Sequence, residues 1–119
     1  MTFAQETRPW GSWHVIDEAV GFKVKRIHVA PGCRLSLQSH RHRSEHWVVV
    51  RGVALCHVGG KVFRAVPGEC VDVPIGVHHR LENRESSPLV VVEVQRGVYT
   101  GEDDIVRYED DYGRHTAVS

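Results

Sequence analysis

Nine of the 119 residues are histidine, and five of the nine fall in two clusters: His40, His42 and His46, and the adjacent pair His78-His79. An imidazole titrates near neutrality and is also a nitrogen ligand, so such clusters point first to metal or proton chemistry. Gln38 stands two residues before His40, and side chains two apart on an extended strand leave on the same face. An amide oxygen and an imidazole nitrogen can then aim at one cation. Glu45 follows His40 by five residues, a separation that a tight turn can reverse, and His79 can supply a fourth ligand from far along the chain. Gln38, His40, Glu45 and His79 form a mixed nitrogen and oxygen set that suits one divalent metal, zinc first, with manganese, cobalt, nickel or iron also accommodated. Cys33, Cys56 and Cys70 make no CxxC pair, which argues against a thiolate zinc site or a disulfide framework and for an open, catalytic centre. His78 must face away from its neighbour in a strand and is expected in solvent.

The elements that would position these groups are short. Segments 23–29, 34–40, 45–50, 53–58, 61–65, 70–73, 78–82 and 89–95 are rich in Val, Ile and Leu and are divided by Pro-Gly or Gly turns, with Gly59-Gly60 a two-residue hairpin signal. That pattern predicts an all-β sandwich or barrel. Within 34–40 the alternation sends Leu35 and Leu37 one way and Arg34, Ser36, Gln38 and His40 the other. Residues 101–113 are acidic with two tyrosines and suit a short helical turn or a packed tail. Length and composition predict one domain over 1–119, its core at about 23–96 with both ends packed upon it. Fifteen basic residues against fifteen acidic ones give no net charge, which excludes nucleic acid as the main partner. No apolar run approaches the roughly 20 residues that cross a bilayer, and residues 1–10 lack the pattern of a secretory signal; a cytoplasmic protein is expected.

Glu45 with Gly52 seven residues later, and Gly68, Pro74, Gly76, His79 and Asn83, resemble the two-part signature of the cupin superfamily, which implies a double-stranded β-helix, or jelly-roll, barrel. The longer strings Arg8-Pro9-Trp10-Gly11-Ser12, Gln38-Ser39-His40-Arg41-His42-Arg43-Ser44-Glu45-His46-Trp47, His79-Arg80-Leu81-Glu82-Asn83 and Gly101-Glu102-Asp103-Asp104-Ile105 are similar to the type II phosphomannose isomerase domain, the cupin module of bifunctional mannose-1-phosphate guanylyltransferase/mannose-6-phosphate isomerases. The resemblance implies metal-dependent interconversion of mannose 6-phosphate and fructose 6-phosphate. It covers the isomerase part alone, so sugar-nucleotide synthesis is not implied.

Such a reaction needs a group that shuttles a proton through an enediol and a Lewis acid for the oxyanion. His42, Glu45 and Glu82 are the candidates for the proton, although a ligated Glu45 would be a weakened base. A phosphate needs cations: Arg34, Arg43, Arg80, Lys23 and Lys25 lie in or beside inferred inner strands, with Arg43, directly after His42 in the family string, preferred. Trp10 and Trp47 are expected to be core or interface aromatics. Leu35 and Leu37, taken to face away from the site, would be covered by a second subunit, so a homodimer is expected. The alternative is a non-catalytic metal-binding cupin acting as a sugar-binding or regulatory module.

Overall fold

A computed structural model describes residues 4–113, and among them there is no helix. The strands are β1 (Gln5–Arg8), β2 (Gly11–Ala19), β3 (Phe22–Val29), β4 (Leu37–Ser39), β5 (Arg43–Arg51), β6 (Ala54–Val58), β7 (Lys61–Ala65), β8 (Cys70–Val73), β9 (His79–Glu82), β10 (Leu89–Gly97) and β11 (Val106–Glu109). They form a six-stranded sheet in the order β1-β2-β3-β10-β5-β8 and a five-stranded sheet in the order β11-β4-β9-β6-β7. Every pairing is antiparallel.

Alternation explains which side of each strand is buried. On β10, Leu89, Val91, Glu93 and Gln95 point inward, and their cross-strand partners share that face. Leu89 stands opposite Val29, and Val91 lies between Ile27 and Val49. Further along, Glu93 lies between Lys25 and Trp47, Gln95 between Lys23 and Glu45, and Gly97 opposite Arg43. The interior of the large sheet therefore passes from aliphatic to charged along each strand. Trp10, Trp13, Trp47, Cys56 and Leu81 close the aliphatic end into a continuous core.

Three expectations about the elements change. The chain before residue 23 contributes two strands, and β2 sends Trp13 and Val15 into the core. Its alternation is broken by a register shift between Val15 and Asp17, which leaves Ile16 exposed and hides the period of two. The segment 34–40 is not one strand: only Leu37–Ser39 is regular, and Arg34 makes an isolated bridge to Glu82. The interruption turns Leu35 inward, where it packs on the core, so it is not part of an outward apolar face. At the other end, Val106–Glu109 forms a strand against β4 rather than a helical turn.

Candidate metal centre

β4 and β5 are joined by the turn that carries His40, and β9 enters beside it. Gly76, whose positive φ of 80° suits a residue without a side chain, donates its backbone N–H to the His40 carbonyl at 2.9 Å. This ties the turn before β9 to the turn before β5. Asp104 secures the other side: its carboxylate accepts the backbone N–H groups of Arg41 and His42, each at 2.9 Å. Gly97 lets β10 approach closely, because a Cβ there would lie 1.9 Å from the His42 carbonyl oxygen.

His40, Glu45 and His79 converge, all buried, with one ligand atom from each lying within 4.8 Å of the others. Glu45 Oε2 is 3.0 Å from His40 Nε2, and Glu45 Oε1 is 3.4 Å from His79 Nε2. The rings are oriented from behind. His40 Nδ1 donates to the Asp104 carbonyl at 2.6 Å and His79 Nδ1 to the Val77 carbonyl at 3.0 Å, which leaves both Nε2 lone pairs facing the carboxylate. Unprotonated nitrogens and carboxylate oxygens this close repel one another unless a cation lies among them. The Arg43 guanidinium does contact the same atoms, with Nε 3.2 Å from Glu45 Oε2 and Nη2 3.3 Å from His40 Nε2. The donor set therefore fits a divalent metal. Gln38 stands opposite His79 across β4 and β9 and lines the same cavity as Glu45; its amide nitrogen is taken by Ser36, leaving the carbonyl oxygen as its free donor atom.

Charge within this end of the barrel is tightly coupled. Burial alone would raise the Glu45 pKa, but the His79 and His40 rings in their protonated form outweigh it and hold the carboxyl well below its usual range. For His79 burial dominates and lowers the pKa against the pull of Glu45. Glu93, buried behind Trp47, is pushed up to about 8 by burial and by the Glu45 charge. Trp47 Nε1 donates to both Glu45 Oε1 and Glu93 Oε2, at 3.1 and 3.2 Å, and Gln95 Nε2 donates to Glu93 Oε1 at 2.6 Å. Gln95 Oε1 is buried with no hydrogen-bond partner, an acceptor that a water or a ligand hydroxyl would satisfy.

The other expected site residues are dispersed. Arg43 lines the cavity with Glu45. His42 is exposed beside Tyr99 in a separate cleft. Glu82 leaves β9 on the face opposite His79 and binds His57 and Arg84. Arg34 forks onto Asp111 at 2.7 and 2.8 Å, and Arg80 is held by the Leu35 carbonyl and Glu109. Neither of these arginines contacts the Glu45 cluster. His78 is exposed and stacks on Tyr108 at 4.0 Å. Sequence reasoning missed Glu93, Gln95 and Glu102. Glu93 and Gln95 could have been found by extending the alternation of Leu89 and Val91 along β10.

Two sheets closed around an inward His/Glu cluster define a double-stranded β-helix of the cupin class. A Klebsiella pneumoniae protein with a double-stranded β-helix domain superposes with a TM-score of 0.71 at 26% identity, over 82% of this chain and 83% of its own. An RmlC-like cupin from Shewanella frigidimarina gives 0.74 at 20% identity, over 85% and 87%. More narrowly, residues 1–110 match the family described as mannose-6-phosphate isomerase C-terminal, and the chain belongs to that family. Its relatives include the xanthan biosynthesis protein XanB of Xanthomonas campestris, 52% identical over 90% of this chain and 23% of XanB. The alginate biosynthesis protein AlgA of Pseudomonas aeruginosa is 50% identical, and the mannose-1-phosphate guanylyltransferase ManC of Salmonella typhimurium 49%, each over 90% of this chain and 22% of the relative. The chain thus spans less than a quarter of the length of these proteins. Among the described residues, no helix is long and apolar enough to cross a membrane.

Proposed function

We propose that this chain is a metal-dependent aldose–ketose isomerase that interconverts mannose 6-phosphate and fructose 6-phosphate. The observation that carries the reading is the convergence of His40, Glu45 and His79 on one point, with Glu45 also lining a cavity beside Arg43, in a member of this family. His40, Glu45, His79 and the Gln38 oxygen would hold one divalent metal, zinc first, which when bound would supply the Lewis acid for the enediol oxyanion. The proton moving between C1 and C2 falls to a carboxylate that lines the cavity without lying in the cluster, and Glu93 has that position. Arg43 contributes positive charge at the cavity wall and contacts the substrate phosphate. A cytoplasmic homodimer belongs to the same reading, its apolar cover now resting on Leu37 without Leu35; light scattering should give twice the 13.4 kDa of the chain.

The decisive experiment supplies mannose 6-phosphate with zinc, manganese, cobalt and nickel in turn and follows fructose 6-phosphate by a coupled assay. Turnover with at least one metal is expected, and its absence with all four would favour the non-catalytic, sugar-binding module. Arg43→Ala should lower turnover by at least about tenfold, the equivalent of one charge-assisted contact. Metal content, measured in parallel, must remain that of the parent, because Arg43 also touches Glu45 and His40. Turnover within about twofold of the parent at full metal content would remove Arg43 from the phosphate site.

A further inference from the structure

Lys23 and Lys25 leave β3 into the charged end of the barrel, and both are buried, at 6% and 4% exposure. Lysines so enclosed require anionic partners, and both face Glu102, with Glu18 Oε2 also 3.5 Å from Lys23 Nζ. Lys25 Nζ donates to Glu102 Oε1 at 2.6 Å and Lys23 Nζ reaches Glu102 Oε2 at 3.2 Å. Arg43 lies close enough to be felt: burial by itself would raise the Glu102 pKa, but Lys25, Lys23 and Arg43 together lower it. The Lys25 ammonium also sits 4.0 Å over the Trp13 ring, which fixes its direction. Two ammonium groups thus meet one carboxylate, and Arg43 lines the same cavity as that carboxylate.

Glu102 differs from its partners in being 40% exposed. It projects from the segment 99–104, whose backbone is anchored without it: Lys23 Nζ donates to the Thr100 carbonyl at 2.6 Å, Arg43 Nη1 to the Gly101 carbonyl at 3.3 Å, and His40 Nδ1 to the Asp104 carbonyl at 2.6 Å. Withdrawal of the Glu102 side chain toward solvent would leave those three anchors in place. Glu102 lines the cavity that holds Arg43, Glu45 and Gln38, whereas Lys23 and Lys25 do not reach its wall. At about 80 Å³ that cavity is well below the roughly 300 Å³ at which ligand pockets begin. Withdrawal of a lining group would enlarge it toward the size of a hexose phosphate.

We propose that Lys23 and Lys25, completed by Arg43, are an anion subsite for the phosphoryl group of the substrate, and that the Glu102 carboxylate occupies it until a phosphate displaces it. A carboxylate and a phosphate present the same acceptor oxygens to an ammonium, and the dianion gains more from three cations than the monoanion does. The inference rests on the sugar-phosphate reading for its ligand, but binding of the anion can be measured without turnover.

Inorganic phosphate titrated calorimetrically into the zinc-loaded protein is the probe. Glu102→Gln removes the internal competitor and should bind phosphate about tenfold more tightly than the parent. Lys25→Met keeps the stem against Trp13 and should bind at least about tenfold more weakly. The double variant Lys25→Met/Glu102→Gln removes that pair of charges together, Lys23 keeping the Thr100 carbonyl and Glu18, and should remain as weak, while Lys25→Arg should recover most of the affinity. Unchanged or weaker binding in Glu102→Gln, or parental binding in the double variant, would overturn the subsite. If the expected pattern appears in a protein with no isomerase turnover, the subsite stands and the isomerase reading fails. If turnover is present and the pattern is absent, the reverse holds.

Discussion

The two ends of β3, β10 and β5 share backbone pairing and sheet face, yet they are built on opposite principles. At one end Val29, Leu89, Val91 and Val49 are each at most 1% exposed; burying such a side chain stabilises the fold by about 1.5–3 kcal/mol. About six residues along the same strands, Lys23, Lys25, Arg43, Glu45, Glu93 and Gln95 are also buried, none more than 6% exposed. There burial opposes charge, Gln95 Oε1 lacks a partner, and Glu93 is pushed up to about 8. Local stability would favour aliphatic residues at both ends. The contrast teaches that one end secures the barrel while the other holds charge at a cost, which is how binding sites are commonly assembled.

A pair of substitutions tests that division most strongly. Leu89→Ala leaves a cavity among Val29, Val91 and Val49 and should cost about 2–5 kcal/mol in chemical denaturation, with zinc stoichiometry of the folded fraction unchanged. His79→Ala removes a member of the cluster and should lose most of the bound zinc, read by elemental analysis, with a smaller stability loss in zinc-free protein than Leu89→Ala. Full zinc occupancy in His79→Ala would dissolve the assignment of the charged end. Zinc loss equal to the loss of folded protein in Leu89→Ala would show that the ends are not independent.

The sequence made the aliphatic end legible because valine-rich runs between glycine and proline turns survive register errors. It also carried the cluster, because Gln38, His40 and Glu45 lie within one turn of chain and His79 follows the Pro74-Ile75-Gly76 turn. What could not be read depended on where alternation breaks. The shift between Val15 and Asp17 concealed β2, and the interruption between Arg34 and Leu37 reversed Leu35. Nor could local pattern show that Glu102, 77 residues after Lys25, returns to meet it. Arg80 and Glu82 lie at even positions of β9 and face away from His79, and Arg34, expected on the face of Gln38 and His40 by alternation, lies before the interruption that precedes β4.

A subtler distinction is pH dependence in zinc-free protein. Glu93 binds a proton in the folded state up to about 8, against about 4.3 for an unfolded glutamate. Its contribution is fully present below the unfolded value and is lost as pH rises through the folded one. His79 has the opposite sign: its folded pKa is lowered from 6.5, so its contribution is present above 6.5 and is lost as pH falls. Between roughly pH 4.3 and 6.5 the two oppose each other; from there to about 8 only Glu93 changes, with a slope approaching about 1.4 kcal/mol per pH unit. Denaturation of zinc-free protein should show stability falling over that upper interval. Glu93→Gln should flatten the slope, and an unchanged slope would place the buried proton elsewhere.

The smallest effect is expected where the sequence placed a cation at the site and the structure places it at the β11 edge. Arg34 is bound in two-point fashion by Asp111, at 2.7 and 2.8 Å, with side chains 35% and 43% exposed. Water screens such a pair, and its loss typically costs about 0–1 kcal/mol. Arg34→Ala should therefore leave zinc content as in the parent and turnover of mannose 6-phosphate within about twofold. Arg43→Ala, on the cavity wall, should not. A fall of tenfold or more in Arg34→Ala at parental zinc content would mean that Arg34 leaves Asp111 for the substrate. The phosphate would then bind at the outer edge of the five-stranded sheet, and the charged end of the barrel would hold the metal alone.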